Sequence, residues 1–114
     1  MHEVSLAGGI LNIVEDAAQR ERFTRVRVLR LEAGSLAGVD VRALMFALET
    51  IAPGTLLEGA AIIIDTPVGQ AWCMACAQTV PLHTRGDPCE RCGGHQLMPH
   101  EGTELRVVDM QVED

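Results

Sequence analysis

Four cysteines set the tightest limit on what this 114-residue chain can fold into. Cys73 and Cys76, then Cys89 and Cys92, form two Cys-x2-Cys pairs separated by twelve residues. In an oxidising compartment four cysteines close two disulfides, with three connectivities open to them. In a reducing cytosol the same spacing is a metal site. Zinc fits the pattern first, because each pair presents two thiolates and the intervening loop can fold both pairs around one tetrahedral ion. A tetrathiolate iron centre and a pair of disulfides are the alternatives. Four thiolates leave zinc no open coordination position, so such a site is structural rather than catalytic.

The surrounding composition agrees. Residues 68–102 hold all four Cys, three of the four His and three of the five Pro, with few long aliphatics. Such a stretch is expected to draw its stability from metal rather than from a core of its own. Gly93-Gly94 suits a tight turn that aims backbone N–H groups at thiolate sulfur, and Arg85 and Arg91 flank the second pair and offset its charge. His83 and His95 read as exposed loop residues or as hydrogen-bond donors near the metal; ligation by either in place of a cysteine is the alternative. The net charge is −7, and all nine cations are Arg. That surface repels phosphate and argues against duplex nucleic acid or anionic membrane as partners. Within 68–102 only two Arg and Trp72 are available for phosphate contact and base stacking, too little for a nucleic-acid-binding ribbon.

The rest of the chain alternates helix and strand. Leu6, Ile10, Ile13, Val14 and Ala17 mark a helix over about 5–22, with close backbone packing or fraying expected at Gly8-Gly9. Residues 24–33 alternate β-branched residues with Arg, a strand with one wet face. Asp40 is an N-cap for a helix whose buried face is Val41, Leu44, Met45 and Leu48, stopped by Pro53-Gly54. Ile62-Ile63-Ile64 reads as a strand buried on both sides or at a tight edge, and 103–112 as a strand with a bulge near Val107-Val108. The predicted fold is α+β: a small three-stranded sheet with two helices and an inserted zinc-ribbon lobe built on the four cysteines. The expected division is 1–67 with 103–114 as one domain and 68–102 as the ribbon. No apolar run approaches a membrane span, and Met1-His2-Glu3-Val4 lacks the charged and apolar regions of a secretory signal, so a cytoplasmic location is expected.

His2 carries specific chemistry. A free α-amine, the amide nitrogen of residue 2 and its imidazole Nδ1 close two adjacent chelate rings, and planar nitrogen donors are what Ni(II) and Cu(II) prefer. Met1 is expected to be retained, since removal of the initiator usually requires a small second residue.

Met1-His2-Glu3 opening an amphipathic helix, Leu29-Arg30-Leu31-Glu32-Ala33-Gly34, Gly38-Val39-Asp40 and the two cysteine pairs together resemble the HypA/HybF family of NiFe-hydrogenase maturation nickel chaperones, over the whole chain. Gln70-Ala71-Trp72-Cys73-Met74-Ala75-Cys76 looks closest to the HybF branch. The resemblance implies nickel ligation by the Met1 amine and His2, assistance from the backbone or side chain of Glu3, a contribution from Asp40 as in some members, and structural zinc on the four Cys. It implies a non-enzymatic role in which Ni(II) is transient cargo, with a HypB-type GTPase and the hydrogenase large-subunit precursor as partners, and homodimers in some members. Many members place His directly after the last Cys; Gly93 stands here, so histidine-dependent switching at the zinc site does not transfer. The rival function is a zinc-ribbon adaptor that binds proteins only, with an idle amino terminus.

Overall fold

The computed structural model describes residues 2–114. The elements run α1 (His2–Glu21), β1 (Arg25–Ala33), α2 (Val41–Ile51), β2 (Ala61–Asp65), β3 (Gly69–Cys73), β4 (Gln78–Leu82), β5 (Leu97–Glu101) and β6 (Leu105–Glu113). They form two three-stranded sheets, ordered β2-β1-β6 and β4-β3-β5. The α+β class, the two helices and the small sheet on the helical side are as the sequence predicts; the second sheet belongs to the ribbon.

The chain divides into two compact units. The first comprises Met1–Leu31, Val39–Ile64 and Val107–Asp114, and the second Glu32–Gly38 and Asp65–Arg106. The ribbon unit is therefore wider than the stretch marked out by composition. Its extra segment has a physical reason, because Leu36 is buried against Ala71 and Leu82 in a small apolar cluster with Leu97. The ribbon thus owns a core, contrary to the sequence expectation, although a modest one.

In the helical unit α1 buries Ala7, Ile10, Val14, Ala17 and Ala18. Ile10, Val14 and Ala17 are buried as expected, but Ile13 is 52% exposed and Leu6 half-buried, and Ala7 and Ala18 join the buried stripe instead. α1 also begins three residues earlier than the periodicity suggests, so His2 and Glu3 lie in its first turn. Gly8 and Gly9 neither pack closely nor fray: the helix runs through them, and a Cβ at either would meet nothing within 4 Å. Arg22 ends α1 in the left-handed region at φ 61°, with its N–H on the Ala18 carbonyl at 2.8 Å, a conformation usually given to glycine.

α2 buries Leu44, Ala47 and Leu48, with Met45 and Val41 half-buried. β1 keeps the expected wet face: Arg27 and Arg30 reach across to Glu113 and Asp109 on β6 at 3.6 and 3.9 Å. These exposed pairs contribute little stability. β2 is an edge strand with alternate residues exposed, including Ile63, which rules out burial on both sides. On β6, Val107 and Val108 are both half-buried, interrupting the in–out alternation where the sequence has two apolar sets out of phase. No helix is long and apolar enough to cross a membrane among the described residues.

Candidate metal centre

Within the ribbon unit β3 lies between β4 and β5 and pairs antiparallel with both. The strand delivers Cys73 at its end, opposite Gln78 on β4 and Leu97 on β5. Cys73 and Cys89 are buried with Val80, and Cys76 and Leu97 pack against them. Two of the three buried side chains in this cluster are therefore thiols, which is why few aliphatics suffice here.

The two cysteine pairs adopt matching turns. After Cys76, Ala77 takes φ 53°, and after Cys92, Gly93 takes φ 73°. The Cys76 N–H donates to Cys73 Sγ at 3.5 Å, the Arg91 N–H to Cys89 Sγ at 3.4 Å and the Gly94 N–H to Cys92 Sγ at 3.4 Å. The Gly93 N–H donates to the Cys89 carbonyl and the Cys89 N–H to the Gly94 carbonyl, both at 2.8 Å. The expected aim of backbone N–H groups at sulfur is present, on both pairs rather than the second alone.

All four sulfurs lie within 4.8 Å of one another. Cys73 Sγ and Cys92 Sγ are 3.7 Å apart, and Cys76 Sγ and Cys89 Sγ 4.0 Å. A tetrahedral ion with Zn–S bonds of about 2.3 Å requires sulfur–sulfur edges of about 3.8 Å. The donor set therefore fits a tetrahedral thiolate-binding ion. None of the four cysteines is paired in a disulfide, and the sulfurs stand at the spacing of a shared ion rather than of an S–S bond. His83 and His95 are exposed and neither joins the sulfur cluster.

In the metal-free cluster the thiols are unequal. Backbone N–H groups of Cys92 and Arg91 draw the Cys89 thiol down to about 7. The hydrogen bond with the Cys92 side chain, together with burial, pushes Cys76 up to about 12. At pH 8 Cys89 is thus already mainly thiolate and Cys76 a thiol. Loading with zinc at pH 8 is expected to release fewer protons than at pH 6, where Cys89 also gives one up. Calorimetric titration in buffers of different ionisation enthalpy reads this count. Equal release at both pH values would show that Cys89 does not carry the lowered pKa.

The candidate nickel residues lie in the helical unit. Glu3 Oε2 accepts a hydrogen bond from the Asp40 N–H at 3.2 Å, and Asp40 Oδ1 accepts one from the Ala43 N–H at 3.1 Å. The structure brings Glu3 and Asp40 together, and Asp40 does cap α2. His2 is exposed at the start of α1. Met1, the expected amine donor, lies outside the described residues. Among the described residues, the four cysteines are the one preassembled group of metal-ligand side chains.

The Glu3–Asp40 contact joins the first turn of α1 to the residue that opens α2, a link that periodicity within either helix does not reveal. Also missed by the sequence is a close backbone approach in the ribbon unit: a Cβ at Gly102 would fall 2.6 Å from Gly69 Cα, and one at Gly34 would strike the Gly102 backbone. Those glycines let three backbone segments meet.

A tetrathiolate centre in a small three-stranded ribbon, in a chain that also carries an α+β unit, defines a zinc-ribbon-like metalloprotein. The family described as "Hydrogenase/urease nickel incorporation, metallochaperone, hypA" matches residues 1–112. A protein of Polaromonas naphthalenivorans named hydrogenase maturation factor HypA is 68% identical over 114 residues, covering 100% of this chain and 99% of that one. Its namesake in Cupriavidus necator is 67% identical, covering 100% and 96%. The solution structure of the Ni metallochaperone HypA from Helicobacter pylori has the same fold, with a TM-score of 0.70, 18% identity and 97% of both chains covered. The chain belongs to the HypA family of hydrogenase-maturation nickel metallochaperones.

Proposed function

We propose that this chain binds Ni(II) at its amino terminus, holds one structural zinc on Cys73, Cys76, Cys89 and Cys92, and hands the nickel on for NiFe-hydrogenase maturation. The Met1 amine and the amide and imidazole nitrogens of His2 supply three donors. Asp40 and the Glu3 backbone complete the surroundings of the ion. The observation that most supports this reading is the Glu3–Asp40 hydrogen bond, which joins the first turn of α1 to Asp40 within the helical unit. Three planar nitrogens hold Ni(II) while leaving a position through which it can be passed to another protein.

Delivery needs no bond-breaking step, so the role is that of a carrier rather than an enzyme. The recipients are a HypB-type GTPase and the hydrogenase large-subunit precursor, in the cytoplasm. The helical unit handles the nickel, and the ribbon unit, Glu32–Gly38 with Asp65–Arg106, holds the zinc and stabilises the chain.

A one-residue amino-terminal extension tests delivery. Adding Gly before Met1 makes His2 the third residue and creates a four-nitrogen donor set that binds nickel and gives it up slowly. In cells lacking the native chain, the extended chain is expected to keep its nickel and zinc yet leave hydrogenase activity near background. Full maturation by the extended chain would overturn the proposed role of the terminus.

A further inference from the structure

Helix α2 is capped at its start by half of a familiar device. In a capping box the N-cap side chain bonds the backbone N–H three residues on, and a Glu or Gln at that third position bonds back to the N-cap N–H. Here Asp40 Oδ1 accepts from the Ala43 N–H at 3.1 Å. The residue at that third position is Ala43, which has no side-chain acceptor to return the bond. The Asp40 N–H donates instead to Glu3 Oε2 at 3.2 Å, from a residue 37 positions earlier in the chain.

We propose that Glu3 supplies the missing half of the capping box from another helix, and that this bond positions the first turn of α1 against Asp40. Glu3 is then a positioning residue for nickel handling rather than a ligand through its carboxylate. The nickel part of this inference rests on the amino-terminal site proposed above. The electrostatics favour the arrangement, since the Asp40 and Glu3 carboxylates both sit at the N-terminal, positive end of the α2 dipole. With its carboxylate engaged on Asp40, Glu3 leaves its backbone nitrogen beside the His2 donors. His2 precedes Glu3 in the same helical turn, so the bond between Glu3 and Asp40 adds to the packing of α1 on α2 a polar contact that places the metal-binding terminus at the start of the second helix.

The experiment compares Glu3→Gln and Glu3→Ala in the full chain with its native amino terminus. An amide oxygen still accepts the Asp40 N–H but carries no charge for a metal. Amide hydrogen exchange at Asp40, without nickel, is expected to quicken about fivefold in Glu3→Ala and to stay within about twofold of native in Glu3→Gln. Nickel affinity is expected to follow the same order, with Glu3→Gln near native and zinc content unchanged in both. Native exchange at Asp40 in Glu3→Ala would overturn the cap. Nickel affinity as weak in Glu3→Gln as in Glu3→Ala would make the carboxylate a ligand and overturn the positioning role. A native chain that binds no nickel at its terminus would defeat the nickel reading and the positioning role together, whereas the cap itself stands or falls on the exchange at Asp40.

Discussion

Cys76→Ser is expected to empty the tetrathiolate centre and disorder the ribbon while the helical unit stays folded. Binding of structural zinc in small domains is worth about 10–16 kcal/mol, comparable to or above the roughly 5–15 kcal/mol that holds a whole domain together. The ribbon cannot replace that contribution from packing. The buried apolar residues of its two clusters are Leu36, Ala71, Leu82 and Val80, and the remaining buried positions of those clusters are Cys73 and Cys89 themselves. The helical unit has its own core, with Leu29, Leu31, Leu44, Leu48 and Leu57 fully buried. In a heteronuclear amide spectrum the ribbon resonances of Cys76→Ser should collapse toward unfolded positions, and protease should cut within 68–102. Residues of α1 and α2 should keep their native shifts. One zinc per chain and native ribbon shifts in this variant would show that Cys76 is not a ligand.

The centre was legible because its information is local. Two residues between paired cysteines, and Gly93-Gly94 behind the second pair, fix both the donor set and the turn that aims N–H groups at sulfur. The N-cap of α2 was equally readable, since Asp40 acts within one turn of itself. What escaped the sequence is long-range. Leu36 belongs to the ribbon core because it meets Ala71 and Leu82, and no periodicity around residue 36 says so. The convergence of Gly34, Gly69 and Gly102 depends on backbone segments far apart in the chain. On α1 the small residues Ala7 and Ala18 were buried while the larger Ile13 was left exposed, an inversion that a ranking by hydrophobicity cannot anticipate. Glu3 showed the same limit, because its partner stands 37 residues away.

His2→Ala is expected to abolish tight nickel binding without disturbing zinc or fold. His2 is exposed at the first position of α1, so its removal costs no core packing. It deletes the imidazole and with it one of the two chelate rings, leaving an amine and an amide that bind nickel weakly on their own. Because protons compete for the amine and imidazole lone pairs, the native chain's nickel affinity should fall as pH is lowered. The residual binding of His2→Ala should be weak throughout. The amino terminus must be native in these experiments, since any added residue changes the donor set.

The most direct measurement is metal analysis with nickel titration of the untagged native chain and of His2→Ala, side by side. The native chain should hold one tight zinc and take up one further, weaker nickel, while His2→Ala should hold the zinc alone. Nickel uptake at native affinity by His2→Ala would contradict the amino-terminal site and with it the proposed route of delivery.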